Sequence, residues 1–332
     1  GTGPFEFVRQ EVDRDVVLRR NPHSWQPLPK IERLQFNVVP DGTTRALELR
    51  KGSVDVVQNG LTPDMNWSIL RDPKLAIATG PGTEVQYLTF NLRHAYLRDV
   101  RVRQAIAYAI NRPLIISTLL RGQARLAYSL LPPGHWAYDG DVPHYNYDLQ
   151  KARQLLDDAG YKPGRDGIRF HLEMKTSTDE GTRLLVMALQ QQLRAIGIAL
   201  DVRSFEFATF YSDISHGSFG LYSLIWIGGN EDPDIFRYAF ATASFPPRGA
   251  NRGGYSNSTV DRLLQEAASD PTQEERRTAY VQVQQILAND LPSLPLWFLD
   301  SVVIYNKRLS GVTASPSGNF YFLETVVPHA AR

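Results

Sequence analysis

The sequence is short of three things: cysteine, net charge and long apolar runs. It contains no cysteine, which excludes disulfides, thiolate nucleophiles and zinc–cysteine sites. Its formal net charge is only +1, and lysine and arginine form no block, so the electrostatic footprint of a nucleic-acid-binding protein is missing. No stretch approaches the roughly 20 apolar residues that span a bilayer. The 332 residues are enough for about two domains, at roughly 150 residues per domain.

The signals of enzymes and of metal sites are also scarce. The histidines are scattered, and no two are spaced three or four residues apart as a helical zinc site requires. They are His23, His94, His135, His144, His171, His216 and His329. A G-x-S-x-G elbow, a phosphate loop and a dinucleotide fingerprint are all missing. We therefore predict no catalytic residues, no metal site and no cofactor.

Targeting information is equally sparse at the amino terminus. The opening GTGPFEFVRQ has neither a basic n-region nor an apolar h-region, so no signal peptide is visible. This absence carries little weight, because a chain that opens on GTGPF looks cut from a longer one. Because there are no cysteines, the sequence also does not indicate whether the protein works in an oxidising or a reducing compartment.

Aromatic residues are the one class in excess, with 15 Tyr, 15 Phe and 5 Trp making up 11% of the sequence. Core packing is the simpler explanation, and stacking of rings against a ligand is the alternative. Trp136 lies with Tyr138 in the loop LPPGHWAYDGD, and loops that present aromatics often carry function. Trp226, at the end of an apolar run, fits a core position or the wall of a pocket equally well.

The alternation of strands and helices predicts an α/β protein built on a layered sheet. The opening residues predict two strands joined at a turn around Asp13, and RFHLEMK, the helix after it and IALDVRSF predict a parallel pair with a crossover. SLPLWFLDSVVIYN predicts a strand near the end of the chain. One long helix carries a break near Pro113. Helix starts are predicted at Asp41, Asp99, Asp148 and Thr272, the last in a capping box with Glu275, and the helix that begins at Asp41 is predicted to end at Gly52.

The stretch LIWIGGNEDPDIFRYAF, residues 224–240, ends a predicted strand in two glycines and three acidic residues. Ligands bind outside the carboxyl ends of strands in open α/β sheets, so this position indicates a function. Glu231, Asp232 and Asp234 fit an acid/base pair or oxygen ligands for a cation. The alternate spacing of a calcium loop is missing. We favour a turn in which Asp232 and Asp234 cap the following helix.

Seven segments in register resemble family 5 of the extracellular solute-binding proteins, the dipeptide, oligopeptide and nickel receptors of ABC importers. GTGPFEFV with VVLRRNPHSW resembles the signature segment of that family, and QYLTFNL with DVRVRQAIAYAINRPLII resembles its most recognisable helix. LLPPGHWAYDGD and YNYDLQKARQLLDDAGY match the next two segments. WIGGNEDPDIF, GGYSNSTVDRLLQEA and LPSLPLWF complete the series.

The resemblance implies a periplasmic-binding-protein-like (class II) fold of two lobes joined by a hinge that close on a solute. The first lobe would hold residues 1–88 and 297–332, and the second 89–296, with hinge crossings near Tyr87–Phe90 and Pro295–Phe298. Full-length relatives carry a large portion ahead of the GTGPF segment, so we expect the first lobe to be incomplete or completed by another chain. The resemblance also implies an ABC permease as partner and a periplasmic or extracytoplasmic location, membrane-anchored in a Gram-positive host.

Two ligand anchors of peptide receptors differ in this sequence. Similar receptors place an aspartate three residues after the motif tryptophan, where it pairs with the amino terminus of the peptide, and this chain has Gly229 there. An arginine that grips the peptide carboxylate in dipeptide receptors corresponds to Thr176. Loss of one partner of a buried charge pair costs about 2–5 kcal/mol. A dipeptide zwitterion is therefore a poor candidate unless Glu231 and Arg183 substitute.

We predict instead a peptide-like, sugar-like or other small polar solute, held by aromatic walls and backbone groups. The tryptophans would stack on it, the glycines would let the backbone approach closely, and the polar residues would pair with it. The predicted ligand-binding residues are Tyr87, Trp136, Arg183, Trp226, Gly228, Gly229, Asn230 and Glu231.

Three functions of different classes fit the sequence. A solute receptor of an importer is the leading prediction. A ligand-sensing domain of a DNA-binding regulator is the alternative, and a helix-turn-helix ahead of Gly1 would identify it. A hydrolase or transferase comes third, because no nucleophile and base are visibly paired.

Overall fold

The computed structural model describes residues 1–227, 232–269 and 272–329. The chain forms two compact units. The first unit combines Gly1–Gly82 with Asp300–Arg332, and the second is the continuous segment Thr83–Leu299. None of the described helices is both long and apolar enough to cross a membrane.

The first unit opens with a three-stranded antiparallel sheet of β1 (Phe5–Glu11), β2 (Asp15–Arg20) and β3 (Arg33–Asn37), with β2 in the centre. The predicted turn around Asp13 is confirmed. Asp13 has a φ of 58°, a left-handed conformation that aspartate tolerates better than most residues do. Four further elements follow: α1 (Gly42–Lys51), β4 (Val56–Gln58), α2 (Pro63–Ile69) and β5 (Leu75–Gly80).

The two ends of α1 lie where the sequence predicts them. The carboxylate of Asp41 accepts a hydrogen bond of 2.7 Å from the backbone N–H of Thr44. Gly52 ends the helix in the left-handed conformation, with φ 80°. The short helix α2 is absent from the sequence-based prediction, although Thr62 caps it and Pro63 begins it, a pairing that is typical of helix starts.

The second unit is built on one six-stranded sheet with helices on both faces. Its strands are β6 (Val85–Phe90), β7 (Ala124–Leu126), β8 (Phe170–Ser177), β9 (Ile198–Phe205), β10 (Leu221–Trp226) and β11 (Ser293–Leu299), in the spatial order β7-β11-β6-β10-β8-β9. The helices are α3 (Val100–Ala109), α4 (Arg112–Thr118), α5 (Leu149–Asp158), α6 (Glu180–Arg194), α7 (Phe207–Ser215), α8 (Ile235–Phe240), α9 (Ser258–Ser269) and α10 (Gln273–Asp290).

Strand β8 pairs in parallel with β9, and α6 forms the crossover, which confirms the predicted parallel unit. Strand β10 is parallel to β8 on one side and antiparallel to β6 on the other, and β6 is also antiparallel to β11. The sheet is therefore mixed. It brings the carboxyl end of β10 beside the amino end of β6.

The break in the predicted long helix lies earlier than Pro113. Helix α3 ends before Ile110, whose backbone is extended, and Asn111 caps α4 by accepting a hydrogen bond of 3.0 Å from Leu114 N–H. Pro113 lies in the first turn of α4, where a missing N–H costs nothing. Proline therefore belongs to the start of the second helix, and the cap residue Asn111 sets the boundary.

The two faces of the second unit's sheet carry different cores. Leu88 and Phe90 of β6 point into a large cluster with α3, α5 and α6. Tyr87 points to the opposite face, which α7 covers through Phe210 and Ile214. Helices α8, α9 and α10 build a further cluster that Trp226 also contacts. Successive strand residues alternate between faces, so Tyr87 of β6 and Tyr222 and Trp226 of β10 collect on one side, opposite Phe90.

The chain then returns to the first unit through β12 (Ser301–Asn306), β13 (Leu309–Ser310) and β14 (Val327–Pro328). Strand β12 is the centre of an antiparallel sheet in the order β4-β12-β5. The predicted strand over SLPLWFLDSVVIYN is thus two strands, β11 and β12, separated at Asp300 and placed in different sheets.

The division into units also differs from the predicted lobe boundaries. Those boundaries, after residue 88 and before residue 297, fall inside β6 and β11. The two compact units are divided instead between Gly82 and Thr83 and between Leu299 and Asp300, so both strands lie in the second unit.

Candidate functional site

A cluster of aromatic rings lies on one face of the sheet where β10 ends. The indole of Trp226 stacks on the phenol of Tyr87, with ring centroids 5.3 Å apart and 16° between the planes. Tyr222 meets Tyr87 edge-on at 6.2 Å, and Tyr238 meets Trp226 edge-on at the same distance. The antiparallel register sets Leu224 opposite Tyr87, so the side chains of β6 and β10 interleave on this face.

An arginine lies buried beside these rings. Arg252 is only 7% exposed, and its Nη2 donates a hydrogen bond of 2.6 Å to the hydroxyl of Tyr211 on α7. Its guanidinium carbon also lies 4.8 Å from the centre of the Tyr211 ring, a cation–π distance. The Nε of Arg252 is buried without a hydrogen-bond partner among the described residues. Desolvation makes such a donor costly to leave unpaired.

The loop that carries Arg252 is held by its neighbours. Asn251 is buried, and its side chain donates to the carbonyls of Phe240, Ala241 and Tyr255, at 3.1, 3.0 and 2.8 Å. Gly253 accepts a hydrogen bond of 2.8 Å from the N–H of Leu92, just after β6. These bonds fix the backbone on both sides of Arg252, so its side chain leaves a rigid loop.

The electrostatics of this face follow from burial and from the tyrosine hydroxyls. Burial raises the pKa of Tyr87 well above its usual range, and the hydroxyl stays neutral at physiological pH. Burial acts to lower the pKa of Arg252, but the facing Tyr222 and Tyr87 outweigh it and the net shift is upward. Among the described residues of this face, the guanidinium of Arg252 is therefore a positive charge beside the neutral phenol of Tyr87.

A small cavity of about 20 Å³ lies between these groups. Tyr87, Tyr222, Trp226 and Arg252 line it, together with Asn251. That volume is room for about one water molecule. In this arrangement Trp226 and Tyr87 occupy the space beside the guanidinium.

The structure brings together two of the predicted ligand-binding residues, Tyr87 and Trp226. Trp136 packs elsewhere: its ring meets Tyr280 of α10 edge-on at 6.4 Å, and the guanidinium of Arg276 lies 5.4 Å from its centre. Arg183 is exposed in the first turn of α6. Neither Trp136 nor Arg183 lines the cavity. Their ligand-binding roles stay predictions.

The other four predicted residues, Gly228, Gly229, Asn230 and Glu231, lie outside the described residues. The residues on either side are anchored. Trp226 stacks on Tyr87, and the carboxylate of Asp232 pairs with Arg276 at 2.9 Å. Both anchors belong to the second unit.

The favoured turn at Asp232 and Asp234 forms, but the capping role of Asp234 was wrong. Asp232 accepts a hydrogen bond of 2.9 Å from the N–H of Asp234, which closes the turn. Asp234 precedes α8 without a side-chain capping bond, because its carboxylate accepts from Nε of Arg237 at 2.8 Å. Burial acts to raise the pKa of Asp232, and the Asp234 N–H and Arg276 outweigh it, so the pKa is lowered.

Thr176, predicted from the resemblance to correspond to the peptide-gripping arginine, is buried near the end of β8. Its hydroxyl has no hydrogen-bond partner within the described part of the chain. The neighbouring Lys175 is already neutralised by Asp213 at 2.7 Å. Within residues 1–227, 232–269 and 272–329, histidine, aspartate and glutamate nowhere gather in threes that could hold a metal ion.

Sequence reasoning missed Arg252. Its only local signal is the segment Asn251–Arg252–Gly253–Gly254, in which a polar residue and two glycines surround one arginine. A Cβ on Gly253 would lie 2.6 Å from the carbonyl oxygen of Phe90, so the loop runs against the sheet. A glycine pair in a helix–helix loop indicates such a close approach, but it does not show which rings the neighbouring side chain meets.

Comparisons with known proteins converge on one family. A model described as bacterial extracellular solute-binding proteins, family 5 Middle, matches residues 1–245. Heme-binding protein A of Haemophilus influenzae is 30% identical over 318 residues, which are 96% of this chain and 58% of that protein.

Two solved structures share the fold. DppA, an ABC transporter-associated periplasmic binding protein of Helicobacter pylori in complex with the peptide STSA, has a TM-score of 0.84 and 26% identity. NikZ of Campylobacter jejuni, in complex with Ni(L-His), has a TM-score of 0.84 and 28% identity. The alignments cover 99% and 95% of this chain, but only 63% and 64% of those proteins. The chain therefore spans less than two thirds of these relatives, and the predicted fold of a periplasmic binding protein is confirmed.

Proposed function

Because the chain belongs to family 5 of the bacterial extracellular solute-binding proteins, we propose that it acts as a solute receptor for an ABC importer. It would bind its solute without covalent chemistry and deliver it to a membrane permease. The location would be periplasmic or otherwise outside the cytoplasmic membrane. The ABC transporter association of the Helicobacter pylori relative supports the permease as partner.

The observation that carries the proposal is the ring stack of Trp226 and Tyr87 at the carboxyl end of β10. Strand ends of α/β sheets are the usual place for ligands, and aromatic rings supply most of the contact area in small-molecule sites. Trp226 is half-buried, so one part of the indole packs on the protein and the rest is accessible to a solute. We assign it the role of a stacking surface.

The relatives named above bind chemically different ligands, since their names specify heme, a peptide and a nickel–histidine complex. The fold alone therefore does not select a ligand. Gly229 and Thr176 stand where peptide receptors carry their charged anchors, which disfavours an ordinary dipeptide. We propose a peptide-like or other small polar solute that offers a flat group to Trp226.

A binding panel tests this proposal. Peptides, oligosaccharides, heme and metal–amino-acid chelates are titrated into the full-length protein by calorimetry. For the best ligand, Trp226→Ala is expected to weaken binding by about tenfold, because an aromatic contact contributes about 0.5–1.5 kcal/mol beyond its buried area. Trp25→Ala is the matched control, since Trp25 is 77% exposed in the first unit.

Two results would contradict the proposal. One is a wild-type protein that binds no solute of any class in the panel. The other is a Trp226→Ala variant that remains folded and binds every ligand as tightly as the wild type does.

A further inference from the structure

Arg252 differs from the other buried arginines of the second unit in what its guanidinium contacts. Arg103 and Arg112 are both buried, and both direct their N–H groups to backbone carbonyls. The acceptors are Leu97, Arg98, Asp290 and Leu291 for Arg103, and Ala127, Tyr145 and Pro295 for Arg112. These bonds give both side chains a structural role, joining separate segments of the chain.

The side chain of Arg252 makes far fewer bonds. Within the described residues its guanidinium donates to the hydroxyl of Tyr211 and faces the hydroxyl of Tyr222, and it forms no ion pair with a described carboxylate. Nε is buried and has no hydrogen-bond partner in the described part of the chain, and the side chain lines the cavity beside Trp226 and Tyr87. A guanidinium has five N–H donors, so most of its hydrogen-bonding capacity is unused. A buried cation that lacks an anion is costly, and such a cost is typical of a functional site.

The placement of the charge is rigid. Asn251 ties the loop to three carbonyls, and Gly253 lies against the sheet, so the arginine needs little reorganisation to receive a ligand. Pre-organised donors lose little conformational entropy when they bind. The planar fork of arginine also matches the two oxygens of a carboxylate better than an ammonium does.

We propose that Arg252 anchors a carboxylate of the solute, so that this receptor takes an organic acid whose flat part lies against Trp226. The inference rests on the proposed receptor function and specifies its ligand class. Because the cavity has room for only about one water molecule, the carboxylate enters as Trp226 turns away from Tyr87. The anchor is supplied from the loop before α9, and it does not require a charged residue at Gly229 or Thr176.

A matched pair of fragments tests the anchor. Phenylacetate and phenylacetamide share a ring and a shape, and differ in the charge that Arg252 would bind. Both are titrated into the full-length protein and followed by NMR. The wild type is expected to bind the acid at least about tenfold more tightly than the amide, in line with a charge-assisted hydrogen bond. Turning of Trp226 would also change its fluorescence.

Three variants test whether Arg252 causes the preference for the acid over the amide. Arg252→Gln is expected to abolish it, and Arg252→Lys to keep only part of it, since lysine retains the charge and loses the fork. Arg248→Gln removes the same charge from an exposed position in the same loop and is expected to keep the full preference. Thermal unfolding confirms that each variant is folded. If Arg252→Gln does not fold, the anchor is tested by comparing the acid-over-amide preference of Arg252→Lys with that of Arg248→Gln.

The inference is overturned if the wild type binds acid and amide equally, if it binds neither, or if the preference survives both substitutions of Arg252. Failure of the proposed receptor function would show in a different measurement, as a wild-type protein that binds no solute of the binding panel. A protein that binds panel solutes without regard to Arg252 or to a carboxylate remains a receptor with a different anchor.

Discussion

The hydroxyl of Tyr255 donates a hydrogen bond of 2.5 Å to the carboxylate of Asp290, joining the loop before α9 to the end of α10. Asn257 donates a second bond, of 3.1 Å, to the same carboxylate oxygen. Tyr255 also lines the cavity that Arg252 faces. This contact therefore holds the loop to the end of α10.

Replacing Tyr255 with phenylalanine is expected to lower the free energy of unfolding by about 1–3 kcal/mol, because a partly buried carboxylate loses a donor. Urea denaturation measures the change. Tyr147→Phe is the matched control, since Tyr147 is 46% exposed, and its loss of a hydroxyl should change stability little.

The same residue predicts a dependence on alkaline pH. Burial, followed by the hydrogen bond and charge of Asp290, raises the pKa of Tyr255 above its ordinary value. A raised pKa contributes stability that is complete below the unfolded pKa, about 10 for tyrosine, and is lost as pH rises toward the folded value. The wild type should therefore lose stability above about pH 10 more steeply than Tyr255→Phe does. Parallel curves for the two proteins would contradict this assignment.

Gly253→Ala is expected to destabilise the second unit by about 1–3 kcal/mol, the usual cost of forcing atoms into a packed site. The added Cβ would lie 2.6 Å from the carbonyl oxygen of Phe90, which belongs to β6 and cannot move freely. Gly134→Ala is the control, because nothing lies within 4 Å of a Cβ at that position. Thermal denaturation of both variants should separate them by several degrees. Equal melting temperatures would show that the loop does not press on the sheet.

Asp232→Asn tests the ion pair with Arg276. The side chain of Asp232 is 56% exposed, so solvent screens the pair and the expected loss at neutral pH is below about 1 kcal/mol. Because the folded pKa of Asp232 is lowered, its contribution is present above the ordinary carboxyl pKa of about 3.9 and disappears as pH falls through the folded value.

The measurement is the difference in unfolding free energy between wild type and Asp232→Asn at neutral and at acidic pH. It should shrink toward zero in acid and decrease with added salt. Asp141→Asn, at an exposed aspartate, serves as the reference. A difference that is the same at both pH values would exclude the ion pair as its cause.

Local signals predicted much of the fold because they act over a few residues. The cap of Asp41, the end of α1 at Gly52 and the turn at Asp13 depend on backbone geometry that the side chain itself sets. Features that depend on pairing between segments distant in sequence were predicted less well. The division of β11 from β12 at Asp300 is made by pairing with β6 on one side and with β4 and β5 on the other, which no window of sequence contains.

The candidate site shows the same limit. Trp226 was recognised from its position after an apolar run, and the register of β10 on β6 then placed it over Tyr87. Arg252 could not be recognised in this way. Its burial arises from Tyr211 on α7 and from the rings of β6 and β10, all distant in sequence. A charge becomes a candidate anchor only when separate segments bury it without supplying a counter-charge.

The position of β12 between β4 and β5 has a consequence for synthesis on the ribosome. The whole of Thr83–Leu299 is translated after β5 and before β12. Since domains fold as units while the chain emerges, the second unit can complete its sheet while β4 and β5 still wait for the strand that joins them. The sheet of β4, β12 and β5 is therefore completed after the second unit, although β4 and β5 are translated first. Until β12 is made, the unpaired edges of β4 and β5 are where a nascent-chain chaperone would be needed.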